Sequence, residues 1–452
     1  MLYDFILADK SAKKPMYRQI YISIRNAIEN GNLKKDTKLL SIRKLSEELG
    51  VSKTTVTAAY DQLCAEGYIK TKPQSGFYVA AEFENKPKTL DEEDYKVKTE
   101  NEIIRYDFTT KSIDESIINL SEWKKNIKDV INRNYLLTSY GDVQGEEALR
   151  IALQKYALGT RSVNSSAKNI VVGAGTQALL CILCSVLGCN KKVAMAKDSY
   201  IQSEFVFKSF DYEISYFEND EFGATLDSLK IIKPDILVLN PNFTEPYGTN
   251  MPVTRRLEII NWAKSNGVLI IEDDFNGEIR YSTHPMPCVQ NYDTDNTIYI
   301  GSFSKVLLPS VRISYMVLPE KILKKYNGIK SQINQTASKV EQLALAGYIN
   351  TGKIDVHLRK ARRVFLEKSK IVMQSIDGYF KNFETVFNET SLYVKVKLSG
   401  EFDRDRIERE LAENSIKIMP YKTDNEFGLS FSGIPSDRID EGIRLISEII
   451  FK

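Results

Sequence analysis

Lys305 closes the run Gly301-Ser302-Phe303-Ser304-Lys305, and Arg312 follows it within the same motif. An amine in a dry site loses part of its preference for the proton, which is what attack on a carbonyl requires. Arg312, Ser302 and Ser304 suit a phosphate. The same lysine beside a carboxylate would equally serve as half of an ion pair, and residue types alone leave both readings open. A second phosphate signal lies upstream, where Gly173-Ala174-Gly175-Thr176-Gln177-Ala178 fits the G-x-G-x-x-G/A dinucleotide fingerprint and Asp198 stands about where the ribose acid belongs. Physically the pattern demands only a tight turn and a helix N-terminus, at Thr176 and Gln177, aimed at a phosphate, so any phosphorylated cofactor satisfies it. Cys181 and Cys184 sit one turn apart in an apolar helical run with no second pair, which reads as core and not as a metal or redox site. Two histidines in 452 residues leave little room for a His-based metal site or triad, and no metal is expected.

These groups must be placed by strands. Residues 170–173, 193–196, 236–240, 268–274, 297–302 and 313–318 form short apolar runs separated by helical segments, the signature of a mostly parallel sheet covered by helices on both faces. Ligands of such sheets bind at the carboxyl ends of the strands. Gly175, Thr176, Tyr200, Asn240, Glu272-Asp273-Asp274 and Ser302 to Lys305 all fall there.

Composition excludes a disordered, fibrous or membrane-spanning chain: 42% of residues are hydrophobic and 27% charged, and no apolar run is long and clean enough to span a bilayer. Five cysteines without framework spacing point to reduced thiols and a cytoplasmic setting. The formal charge of +2 hides a division, because residues 1–80 carry +5 and the remainder −3. A basic module joined to a mildly acidic body suits a nucleic-acid partner, although charge alone is also compatible with a solvated surface.

Within the basic module, residues 15–30 place Tyr17, Ile20, Tyr21, Ile24 and Ile28 on one helical face. Ser41 caps a second helix ending at Gly50, and Ser52 caps a third ending at Gly67, which is a helix-turn-helix. Two short strands around Pro73-Gln74-Ser75-Gly76 add a wing. The third helix opens with Ser52, Lys53, Thr54, Thr55 and Thr57, the end that enters a major groove, while Arg43, Lys70, Lys72 and the wing tip at Ser75 and Gly76 suit backbone contacts. Residues 81–104, rich in both charges, read as a linker.

Two resemblances sharpen this reading. The stretch LLSIRKLSEELGVSKTTVTAAYDQLCAEGYIKTKPQSGFYV resembles the GntR-type winged helix nearly residue for residue, departing at Leu40 and at Lys35-Asp36, where that family commonly has proline and Pro-Gly. GSFSKVLLPSVR resembles the Schiff-base lysine motif of fold-type I pyridoxal-phosphate enzymes, specifically the aminotransferase-like domain of MocR-type regulators, which are similar to nearly the whole chain. The resemblance implies that Lys305 holds pyridoxal 5'-phosphate and that Asp273 pairs with its ring nitrogen. It further implies that Tyr200 stacks on the ring, that Asn240 lies beside it, and that Tyr140 reaches the phosphate across a homodimer interface. His357, in a stretch that also follows the family, is expected to be structural.

Three departures bear on activity. Phe275 replaces a tyrosine that commonly meets the cofactor's phenolic oxygen, and Asn242-Phe243-Thr244-Glu245 replaces the usual Ser-His-Gln-aromatic. Gly428 stands where an arginine often grips a substrate carboxylate, and residues 421–437 hold no arginine. Without that clamp, at most residual transaminase activity is expected.

The sequence thus predicts a multidomain chain: a winged helix-turn-helix over 1–80, a linker over 81–104, an α/β large domain over 105–325 and a small α+β subdomain over 326–452. It is expected to be a dimeric DNA-binding regulator that senses pyridoxal phosphate or its aldimine with an amine, the missing clamp favouring the free cofactor, with vitamin B6 or amino-compound genes as targets. A working aminotransferase with an accessory DNA-binding domain, or a regulator with a vestigial pocket, are the alternatives.

Overall fold

The structure is a computed structural model. It describes residues 14–82, 104–197, 201–244, 247, 249–274, 277–281, 286–400, 402–419 and 425–452. The chain divides into two compact units, residues 1–101 and 102–452.

In the first unit three helices, Met16–Glu29, Ile42–Leu49 and Lys53–Ala65, pack Ile20, Ile24, Leu45, Val56, Tyr60 and Leu63 into a dry core. Tyr17, expected on the buried face, is exposed instead. The turn between the second and third helices is built from local chemistry: Gly50 takes a left-handed φ of 59° to end one helix, and Ser52 accepts from the Thr55 amide to start the next. The Tyr60 hydroxyl donates to the Leu40 carbonyl at 2.9 Å and pins the approach to the second helix. An antiparallel hairpin, Ile69–Lys72 with Gly76–Val79, completes the wing, Ile69 facing Val79 and Lys72 facing Gly76.

The second unit is built on a seven-stranded sheet. In spatial order its strands are Ile170–Gly173, Ser314–Val317, Thr297–Ser302, Leu269–Asp274, Ile236–Leu239, Lys192–Met195 and Glu213–Tyr216. All run parallel except Ser314–Val317, which is antiparallel to both neighbours. The central strands are buried along their length, which is why they read as continuous apolar runs. A three-stranded antiparallel sheet, Phe383–Val386, Tyr393–Leu398 and Glu426–Ser430, packs with the helices Lys353–Tyr379, Arg404–Glu413 and Ser436–Ile450.

The subdomain boundary expected at residue 325 falls inside a continuous helix, Glu320–Ile329. The small core also recruits the start of the unit: Tyr106, Phe108 and Ile117 are buried in it, and Tyr106–Asp107 pairs in parallel with Ile416–Lys417. The helix Lys339–Asn350, assigned to the small subdomain by sequence, buries Ala344, Leu345 and Tyr348 in the core of the large sheet. Apolar pairing between distant segments, invisible to local pattern, sets these boundaries. Among the described residues no helix is long and apolar enough to cross a membrane.

Candidate functional site

The carboxyl ends of the parallel strands open into a cavity of about 500 Å³. Lys305, Asp273, Thr176, Asn240, Ser302, Ser304 and Arg312 all line it, so seven of the expected residues converge. Gln177 lies in the helix behind Thr176 and is not among the lining residues. Tyr140 is fully exposed and away from the cavity of its own chain. Tyr200, Asp198, Phe275 and Glu245 lie outside the described residues.

Each side chain is held for a local reason. Asp273 and Asp274 end one strand and alternate across it, so Asp273 meets the cavity while Asp274 turns into the packed layer behind. Asp274 is saturated: it accepts from Arg161 Nε at 2.6 Å, Asn242 Nδ2 at 2.6 Å and the Tyr299 hydroxyl at 2.8 Å. Glu272, on the same side, accepts from the Val289 and Gln290 amides. Asp273 is the opposite case. Its Oδ1 is buried and has no hydrogen-bond partner. Burial, reinforced by the Asp274 charge behind it, pushes its carboxyl up to about 7.

Across the cavity, the Lys305 ammonium donates to the Thr110 carbonyl at 2.5 Å, and burial pulls its pKa down to about 8. Arg312 adopts a left-handed φ of 51° and brings its guanidinium within 3.5 Å of Ser304 Oγ. Gly175, at φ 93°, allows this approach: a Cβ there would lie 2.7 Å from Arg312 Nη2. Ser302 Oγ accepts from Ser314 Oγ at 2.9 Å and from the Ser304 amide at 3.3 Å, fixing the turn that carries Lys305. His357 is buried and contacts the Val306 carbonyl at 2.6 Å, one residue beyond Lys305. Gly428 faces away from this cavity: a Cβ there would meet Met419 Sδ at 2.9 Å, and neither residue is in the lining.

Sequence reasoning missed Arg161, whose ion pair with Asp274 joins residues far apart in the chain, and Lys111, Phe243 and Tyr393, which also line the cavity. No local motif marks them. Cys184 is buried, its thiol pushed up to about 12 mainly by burial, and Cys181 is half-buried on the same helix.

In the first unit the helix Lys53–Ala65 presents Lys53 and Thr54 to solvent, with Thr55 and Thr57 partly exposed beside them. Ser52 Oγ lies 2.8 Å from Thr54 Oγ1 and 2.7 Å from Thr55 Oγ1, a hydroxyl cluster at the helix start. Arg43 is exposed but paired with Glu47 at 3.0 Å. On the wing, Ser75 Oγ and the Tyr78 hydroxyl are 2.7 Å apart, Gly76 has φ 112°, and the Lys72 ammonium lies 4.4 Å from the Tyr78 ring centre. Asp36 pairs with Lys70 at 3.2 Å and reaches Lys72 at 4.0 Å.

Residues 110–446 match the family described as "Aminotransferase class I and II", and residues 16–79 match "Bacterial regulatory proteins, gntR family". The chain belongs to the class I and II aminotransferase family, in the MocR-type arrangement with a gntR-type module in front. Among relatives of this MocR-type chain, the uncharacterized HTH-type transcriptional regulator YdeL of Bacillus subtilis is 31% identical, covering 95% of this chain and 96% of its own. The probable rhizopine catabolism regulatory protein MocR of Rhizobium meliloti is 26% identical over 97% and 94%. The pyridoxine biosynthesis transcriptional regulator PdxR of Corynebacterium glutamicum is 26% identical over 79% and 78%. The multiple substrate aminotransferase of Thermococcus profundus superposes with a TM-score of 0.68 at 23% identity, over 76% of this chain and 91% of that one, a likeness of fold. The fold is that of fold-type I, and the cofactor of the family is pyridoxal phosphate. The cavity fits that group. Asp273 Oδ1 lacks the donor that a protonated ring nitrogen provides, and Arg312, the two serines and the helix start at Thr176 form an anion cradle.

Proposed function

We propose that this chain is a promoter-binding transcriptional regulator whose aminotransferase-like unit holds pyridoxal phosphate at Lys305 and reports the cofactor, or an amine joined to it, to the DNA-binding module. The observation that carries this reading is the pairing, in one cavity, of an orphaned buried carboxylate with an amine whose pKa burial lowers to about 8. Arg312, Ser302, Ser304 and the amides at Thr176 hold the phosphate, and Asp273 takes the ring nitrogen as its missing partner. Thr110 orients the Lys305 amine, and burial keeps a large part of it neutral near pH 8, ready for the aldehyde. When bound, the cofactor supplies that aldehyde and a ring that stabilises negative charge.

At the other unit, Lys53 and the hydroxyls of Ser52, Thr54, Thr55 and Thr57 enter the major groove, while Arg43, Lys72, Ser75 and Gly76 follow the backbone. The protein acts in the cytoplasm as a homodimer, Tyr140 of each chain completing the other's phosphate site. Likeness to regulators named for rhizopine catabolism and pyridoxine biosynthesis supports targets in amino-compound or vitamin B6 metabolism.

The experiment is a titration of the full chain with pyridoxal phosphate, following visible absorbance and binding to its own upstream DNA. The wild type should turn yellow and change its DNA affinity or footprint; Lys305→Ala should do neither. Colour retained in Lys305→Ala, or no colour in the wild type, sinks the assignment.

A further inference from the structure

We infer that Lys111 is the anion-binding residue for the effector, so that the effector is an amine that also carries a carboxylate and an apolar remainder. The inference rests on the cofactor reading above and names the ligand of the same cavity. Its basis is the distribution of charge in the wall. The cavity is lined by three cations, Lys111, Lys305 and Arg312, and one anion, Asp273. The cofactor uses Arg312 for its phosphate, Asp273 for its ring nitrogen and Lys305 for its aldehyde. Lys111 is left over. Its ammonium has no ion pair or hydrogen bond among the described residues, and no part of the cofactor requires it.

Its backbone is fixed on both sides. The Thr109 amide donates to Asp107 Oδ1 at 2.9 Å, the neighbouring Thr110 carbonyl accepts from Lys305, Ser432 Oγ donates to the Ser112 carbonyl at 2.9 Å, and Asp114 pairs with buried Lys368 at 2.5 Å. Lys111 therefore sits one residue from the reacting amine on an anchored segment. The position where the family often places an arginine is closed, because Met419 fills the space a side chain at Gly428 would take. Lys395, which faces Gly428 across the sheet, is engaged with Glu426 at 3.2 Å. The rest of the wall is apolar: Phe217, Met251 and the Phe243–Tyr393 pair, whose ring centres lie 6.1 Å apart.

A lysine binds a carboxylate as a point charge, whereas an arginine fork also fixes its orientation. Recognition through Lys111 thus holds the effector without aligning it for efficient turnover, as a sensor requires.

The test titrates cofactor-loaded full-length protein with matched probes, phenylalanine against 2-phenylethylamine and leucine against 3-methylbutylamine. Binding is read by calorimetry and by the cofactor's absorbance. The wild type should bind at least one amino acid tenfold or more tighter than the amine lacking its carboxylate. Lys111→Met should abolish that preference, Lys111→Arg should keep it, and Lys395→Met should leave it unchanged. A yellow wild type that shows no preference, or that binds none of the probes, overturns the inference alone. So does a preference that survives Lys111→Met or disappears in Lys395→Met. A wild type that never turns yellow removes the cofactor reading, and the inference with it.

Discussion

Asp273 and Lys305 carry opposite errors of protonation in the empty cavity, and the cofactor corrects both. Lys305, pulled down to about 8 by burial, is cationic below that pH and cannot attack an aldehyde. The rate of colour formation at fixed pyridoxal phosphate should therefore rise with pH through a midpoint near 8, as stopped-flow absorbance would show; an ordinary lysine would put that midpoint above 10. Asp273, raised to about 7, retains in the folded chain a proton that the unfolded chain releases near pH 4. The stability this contributes is present at low pH and is lost as pH rises through about 7. Asp273→Asn removes the charge permanently, so the cofactor-free variant should melt higher than the cofactor-free wild type at pH 8 while binding pyridoxal phosphate about tenfold more weakly, a loss of roughly 1.4 kcal/mol. An unchanged melting temperature with unchanged affinity would mean that Asp273 faces neither burial nor cofactor. These two residues were legible because their motifs are local. Arg161, which neutralises Asp274 from a distant helix, and Lys111, in a segment without a motif, were not, since only folding brings them to the strand ends.

Elements add constraints that single residues do not show. The wing cations expected on phosphates are partly occupied, because Asp36 holds Lys70 at 3.2 Å and approaches Lys72 at 4.0 Å. Asp36 does so from a left-handed φ of 62°, a conformation that suits the glycine common at this position in GntR-type modules. Asp36→Gly should relieve the backbone and free both lysines. Affinity for promoter DNA should rise, and the slope of log K against log salt should steepen by about one for each phosphate gained. Equal slopes for variant and wild type would show that the wing lysines do not touch DNA. The anchored segment before the first helix of the second unit depends on Lys368, fully buried against Asp114 and the Ile434 carbonyl. Lys368→Met leaves Asp114 as an uncompensated charge and should destabilise the unit by about 3 kcal/mol in a denaturant titration. Strand positions in this unit were legible from apolar runs. The pairing of Tyr106–Asp107 with Ile416–Lys417 was not, because two-residue strands carry no period.

At the scale of the molecule, a net +2 is the sum of a basic reader and an acidic sensor, and the two compact units keep those charges on separate bodies. The charge division and the charged run after residue 80 were legible in composition, because solvated linkers and packed cores differ in residue type. The assembly was legible only by resemblance. Its consequence for DNA follows from linkage. A winged helix spends one recognition helix on one half-site, which yields modest affinity at physiological salt. Two modules tethered to one dimeric body bind the second half-site at an effective concentration set by the linker, which strengthens binding by about 10²- to 10⁴-fold without a new contact. The isolated module, residues 1–82, should therefore bind a two-half-site promoter fragment at least a hundredfold more weakly than the intact chain, and equally well when one half-site is scrambled. The intact chain should lose most of its affinity on the same scrambled fragment. Changing the spacing between half-sites by half a helical turn should penalise the intact chain more with cofactor bound than without it, if the cofactor acts by restricting where the modules can reach. Equal affinities of module and intact chain for the two-half-site fragment, in fluorescence anisotropy, would rule out bivalent reading and leave a monomeric DNA contact.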